Sequence, residues 1–80
     1  MREVQGYPLP LGVKTGKSRI NFSIAVPAGK NCQLLLYRAG RKKPFRQFEM
    51  KPAVGEVRCM ALEDIEPSAY EYNYLIEDEV

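Results

Sequence analysis

The feature that most constrains this chain is an apolar period of two. Ile20, Phe22, Ile24 and Val26 alternate with Asn21, Ser23 and Ala25, which sets four large side chains on one face of an extended strand and small or polar ones on the other. A helix would scatter that pattern around its circumference. Pro27, Ala28 and Gly29 then close the strand, since Pro-Ala-Gly favours a turn.

The same period returns along the chain. Cys32 to Arg38 carries apolar groups on both faces, as expected of a strand in the middle of a sheet or one covered by another domain. Ala39 and Gly40 open a turn. Phe48 and Met50 alternate with Gln47 and Glu49 in a short third strand, which Pro52 is expected to stop because it has no N–H for a ladder. Glu56 to Leu62 is composed of good helix formers as well as strand formers. It is assigned as a strand because Pro67 limits its length and its neighbours are extended. Tyr70, Tyr72, Tyr74 and Ile76 share one face of the last element, with Glu71 and Asn73 on the other.

Five short strands at intervals of about ten residues, joined by Gly- and Pro-containing turns, predict an all-β, immunoglobulin-like sandwich of antiparallel strands. The 80 residues make a single domain, 1–80, and a chain this short buries only about 60% of its unfolded surface. Ile76 lies close to Val80. The sheet therefore reads as unfinished at its C-terminal end, and the chain as a fragment of a longer protein.

Charge is distributed unevenly. Eleven basic and two acidic residues precede Pro52, and one basic and eight acidic residues follow, so +9 faces −7 around a net +2. A basic face for nucleic acid is one way to use such a bias. In a sandwich the two halves interleave, and pairing across neighbouring strands is the favoured expectation. Met1-Arg2-Glu3 opens no apolar leader, and no stretch approaches the ~18 apolar residues of a membrane span, so the expected location is the cytoplasm. Cys32 and Cys59 are expected to be free, buried thiols, because small secreted scaffolds carry several bridges.

Several chemistries have no residues to run on. The chain has no histidine, which removes Ser-His-Asp and Cys-His catalysis and every His-bearing metal site from this segment. Two cysteines 27 positions apart do not make a zinc signature, and the scattered glycines form no phosphate-cradling loop or dinucleotide fingerprint. Glu63, Asp64 and Glu66 cluster before Pro67. With nothing apolar around them to raise a proton affinity, they are assigned to a solvated loop rather than to a glycosidase pair. No catalytic residue, metal or cofactor is expected.

The strongest binding signal is a basic run with aromatic residues in it. Arg38, Arg41, Lys42, Lys43 and Arg46 fall within nine residues, interleaved with Tyr37, Phe45 and Phe48. That mixture stacks on bases or sugars, or else forms a solvated hairpin whose lysines protect a sheet edge. By strand parity Phe45 goes with Gln47 and Glu49, away from the inward Phe48 and Met50. It is therefore expected to be exposed, offering a flat apolar face to a sugar ring, or else to pack against a partner domain or fold back on the turn. Tyr70 and Tyr72 are expected in the core or at a corner.

The order of motifs points further. Gly6-Tyr7-Pro8-Leu9-Pro10-Leu11-Gly12, Ile20-Asn21-Phe22-Ser23-Ile24-Ala25-Val26, Ala28, Leu34-Leu35-Leu36-Tyr37, Gly55-Glu56-Val57 and Tyr70-Glu71-Tyr72-Asn73-Tyr74 follow one another. This series resembles carbohydrate-binding module family 48, the N-terminal early-set domain of isoamylases, pullulanases and glycogen debranching and branching enzymes. The resemblance runs over nearly the whole chain and rests on the order of individually weak motifs.

The resemblance implies a non-catalytic accessory domain of a debranching glycoside hydrolase. A further strand and an α-amylase-type (β/α)8 barrel would follow Val80, and that barrel would be the main partner. An α-glucan such as glycogen or a starch oligosaccharide would be the ligand, with no role for nucleic acid or membrane. Glycogen-binding members lay sugars on two tryptophans. This chain has none: Ala25 falls at the first position and Phe45 near the second, a departure that fits a domain extending the substrate cleft. On this basis the carbohydrate-contacting residues are expected to be Phe45, Lys42, Arg41 and Tyr37, with the Tyr7 to Leu11 segment and Leu35 packed against the barrel. An immunoglobulin-like protein-interaction module unrelated to carbohydrate is the alternative.

Overall fold

Why the alternating segments become strands is visible in what each face buries. A computed structural model of the protein describes residues 1–78. The described elements are β1 (Arg2–Val4), β2 (Gly12–Gly16), β3 (Arg19–Ala25), β4 (Lys30–Arg38), β5 (Arg46–Glu49), β6 (Pro52–Val54), β7 (Val57–Glu63), a short 3-10 turn (Pro67–Ala69) and β8 (Tyr70–Asp78). One sheet runs β1-β7-β3-β2, with β6 also pairing with β7, and the other runs β5-β4-β8. Every pairing is antiparallel. The expected all-β sandwich is what the chain forms.

Ile20, Phe22, Met60 and Leu62 project from the first sheet against Cys32, Leu34, Leu36 and Phe48 of the second. Burying each such large side chain contributes about 1.5–3 kcal/mol, so these two inner faces supply most of the stabilisation. Phe22 meets Tyr72 edge-on across the sandwich at 5.4 Å between ring centroids. Arg58 lies at the rim of the same inner face. Its guanidinium donates to the carbonyls of Met50 (2.9 Å) and Lys30 (2.8 Å), tying β7 to the second sheet.

Five of the eight strands match the alternating segments, and β7 is a strand rather than a helix. The other three have no counterpart in the apolar pattern. β1 has three residues and β2 is Gly-Val-Lys-Thr-Gly, so neither carries enough apolar alternation to be recognised; both owe their conformation to pairing with β7 and β3. Pro52 does not end the sheet. It starts β6, a strand with a shifted register on β7, where a missing N–H costs little at an edge.

The polar face of β3 also corrects the simple in-and-out picture. Asn21 and Ser23 are buried, because Gly6, Tyr7 and Pro8 cross over that face. The Asn21 amide accepts from the Tyr7 N–H (2.7 Å) and donates to the Tyr7 carbonyl (3.0 Å), and the Ser23 hydroxyl donates to the Pro8 carbonyl (2.6 Å). Gly6 makes the crossing possible: a Cβ there would stand 2.6 Å from the Met60 carbonyl carbon and 2.7 Å from Asn21 Oδ1.

Opposite charges from the two halves of the chain do pair across strands. Glu63 accepts from both Arg2 and Arg19, each at 2.6 Å, and Lys30 pairs with Asp78. Of the acidic trio, Glu63 is thus engaged in the sheet, Glu66 caps the 3-10 turn through Ser68, and Ile65 between them is buried in the core. Cys32 is buried and free as expected, whereas Cys59 is only half-buried. Tyr70 and Tyr74 pack on the core. Tyr72 is 47% exposed rather than enclosed, because β8 is an edge strand.

Candidate functional site

The basic run occupies one end of the sandwich, where β4 finishes and β5 and β8 begin. Three backbone hydrogen bonds hold the loop between β4 and β5: Arg41 N–H to the Arg38 carbonyl (2.9 Å), Phe45 N–H to the Leu36 carbonyl (2.7 Å), and Ala39 N–H to the Ala69 carbonyl of the 3-10 turn (2.9 Å). Gly40 takes a φ of 78°, a left-handed conformation that glycine adopts without steric cost. Its N–H is accepted by Glu71 Oε1 at 2.7 Å. The loop is therefore anchored at both feet and at its tip, which brings Arg38 and Arg41 to the same end.

Phe45 is exposed, at 40% of its surface, but it does not continue the outer face of β5. It precedes the first strand residue, Arg46, and so escapes the strand's parity. Its ring turns towards the end of the sandwich, with the Arg38 guanidinium carbon 4.2 Å from its centroid and the Tyr70 ring 6.0 Å away at 37°. Arg46 lies similarly over Phe48 at 5.0 Å. A guanidinium over an aromatic face gains about 0.5–1 kcal/mol at an exposed site.

Arg38, Arg41, Lys43 and Phe45 line a recess of about 260 Å³. Of the four residues expected to contact sugar, Phe45 and Arg41 line it, while Lys42 and Tyr37 do not. Lys42 is exposed on the loop. Tyr37 is half-buried on the outer side of β4, opposite Glu71 of β8. Lys43 belongs to the basic run but carries no local signal that sets it apart from its other members, whereas Arg38 carries one. For Arg38 the informative feature is parity: it follows Leu34 and Leu36 on the inner side of β4, so at the strand end it emerges over the rim.

Among the described residues the molecule has two further surface features. A wider groove of about 790 Å³ is bounded by Gly6, Pro8 and Cys59 on the first sheet and by Glu49 and Lys51 at the end of β5. Burial pushes the Cys59 thiol up from its ordinary range, which lowers its thiolate content and its nucleophilicity. Nearby, Tyr7, Leu9 and Leu11 form an apolar row exposed at 65%, 71% and 55%. Among the described residues no group of three or more His, Cys, Asp or Glu side chains is placed to hold a metal ion. Among the described residues no helix is long and apolar enough to cross a membrane.

These features define an all-β sandwich with an aromatic and cationic recess at one end and an apolar row on one outer face. Compared with known proteins, the sequence matches no protein-family model and no curated protein.

Proposed function

We propose that this chain is a non-catalytic accessory domain of a glycoside hydrolase that debranches glycogen or starch. Its recess at Phe45 contacts α-glucan, and its Tyr7–Leu11 row rests on the parent's catalytic barrel. The observation that carries this reading is the exposed Phe45 ring, bordered by Arg38, Arg41 and Lys43. Aromatic carbon offers the apolar face of a glucose unit a surface to cover, and the surrounding N–H donors reach its hydroxyls. The motif order across the chain supports the assignment to an α-glucan enzyme. The exposed Tyr7, Leu9 and Leu11 supply the kind of apolar area that inter-domain contacts cover.

Maltoheptaose titration followed by amide shifts tests the glucan contact. Millimolar sugar is expected to shift Arg38 to Phe45 and leave the β3–β4 turn at Pro27 to Gly29, at the opposite end of the sandwich, unmoved, and Phe45→Ala is expected to abolish those shifts. Unmoved amides in the wild-type domain at tens of millimolar sugar would remove the glucan contact. A second reading, an immunoglobulin-like protein-interaction module, draws on the same apolar row. It is favoured if Leu9→Asp disrupts a partner complex while sugar has no effect.

A further inference from the structure

The recess at the end of the sandwich has a charge balance that a neutral sugar does not use. Arg38, Arg41, Lys42, Lys43 and Arg46 lie close together in sequence, and among the described residues none of them forms a salt bridge. The ion pairs that do form engage Arg2, Arg19 and Lys30 instead. Glu71, whose carboxylate accepts from the Gly40 backbone N–H, offsets one of these five positive charges and leaves the loop strongly cationic. Like charges gathered this way repel one another unless a counter-charge joins them.

The geometry adds a direction to that charge. One side of the Phe45 ring is occupied by the Arg38 guanidinium at 4.2 Å, so a neutral sugar stacking there has to displace it. An anion does not. A guanidinium held against a ring presents its planar N–H fork to an oxyanion, the group whose geometry matches it best. Arg41 and Lys43 complete the lining of a recess of about 260 Å³, room for one tetrahedral oxyanion and part of the ring that carries it.

We propose that this recess is an oxyanion subsite that takes the phosphate monoester of a phosphorylated sugar. Arg38 provides the bidentate contact, Arg41 and Lys43 supply the remaining charge, and the edge of Phe45 meets the sugar ring. A monoester carries about −1.5 to −2 charges at neutral pH, which three convergent cations match better than they match the single charge of a phosphodiester. The identity of the sugar as a glucose unit rests on the α-glucan reading above; the oxyanion preference stands on the charge and geometry alone.

The test is an NMR titration of the whole chain at low salt with glucose, glucose 6-phosphate, inorganic phosphate, maltoheptaose and a short oligothymidylate. Glucose 6-phosphate is expected to shift the amides of Arg38 to Phe45 at least 10-fold more tightly than glucose. Loss of charge-assisted hydrogen bonds weakens it by at least about 10-fold in Arg41→Gln and by more in Arg38→Gln, which removes a two-point contact, and Lys51→Gln, beyond the far end of β5, leaves it unchanged. Raising salt to about 200 mM weakens glucose 6-phosphate and leaves glucose unaffected, because the screening length shortens to below 10 Å.

Inorganic phosphate binding more weakly than glucose 6-phosphate supports a sugar phosphate over the free ion. Equal affinity for the two overturns the sugar part of the assignment. Tighter binding of the oligothymidylate overturns the proposal in favour of a phosphodiester backbone. Silence with both phosphate probes overturns it outright. If maltoheptaose shifts these amides while the phosphates do not, the oxyanion subsite falls and the glucan contact stands. Phosphate binding without maltoheptaose binding keeps the subsite and removes the glucan contact.

Discussion

Replacing Asn21 by Ala removes the side chain that holds the Tyr7 backbone to the outer face of β3, leaving the Ser23 hydroxyl on the Pro8 carbonyl as the neighbouring tie. Asn21 is 6% exposed, and it closes a two-point ring with the Tyr7 backbone, at 2.7 Å to the N–H and 3.0 Å to the carbonyl. Each hydrogen bond contributes about 0.5–1.5 kcal/mol net, and partners left unsatisfied in a covered position cost about 1–3 kcal/mol each. Water reaches the freed Tyr7 groups in part, because the Tyr7 side chain is 65% exposed, so the expected loss is about 2–3 kcal/mol. In a domain of this size 1 kcal/mol moves the melting temperature by about 4–8 °C, so the midpoint is expected to fall by about 10–20 °C.

Urea unfolding followed by circular dichroism measures the stability loss, and amide exchange at Tyr7 locates it. The Tyr7 N–H is expected to be protected in the wild type and to exchange near the unprotected rate in Asn21→Ala. Asn21→Asp retains the acceptor and loses the donor, so its Tyr7 amide is expected to remain protected. A stability loss below about 0.5 kcal/mol, with Tyr7 still protected in Asn21→Ala, would refute the reasoning, since the segment would then be held by something other than this ring.

The Glu63 carboxyl offers a pH test. Its hydrogen bond to Arg2, helped by the charges of Arg2 and Arg19, holds it below the ordinary value of 4.5. A carboxyl lowered by folding contributes stability that is present above its unfolded value and lost as pH falls through the folded one. The urea midpoint is therefore expected to drop below about pH 4.5, and Glu63→Gln to flatten that part of the drop. Thiol labelling separates the cysteines: half-buried Cys59 is expected to react with an aromatic disulfide reagent in the native state, and buried Cys32 only at the rate of unfolding. Simultaneous labelling of both would contradict the burial order.

How much is legible from residues alone differs between core and site. Alternation at Ile20 to Val26 is strong because Ile20, Phe22 and Val26 enter the core, and Phe48 and Met50 are recognisable inward residues for the same reason, whereas the alternating tyrosines of β8 mark a strand whose inward side is only partly covered. β1, β2 and β6 are not legible, since a three- to five-residue edge strand with few apolar side chains takes its conformation from the neighbour it pairs with. The binding residues are half legible. Composition locates the basic run, but membership of the recess depends on where each side chain leaves the backbone, which keeps Phe45 and Arg41 and exchanges Lys42 and Tyr37 for Lys43 and Arg38.

Local pattern by itself determined the all-β class, the inward residues of the main strands and the concentration of positive charge near Phe45, because these follow from side-chain period and composition. Only the tertiary structure decided which strands share a sheet, that Asn21 and Ser23 are buried under the Gly6–Pro8 crossing, and that Arg38 lies over Phe45. The sheet partners and the Gly6–Pro8 crossing join residues outside any one strand's window, and the Arg38–Phe45 contact, though short in sequence, depends on how the loop between them folds back.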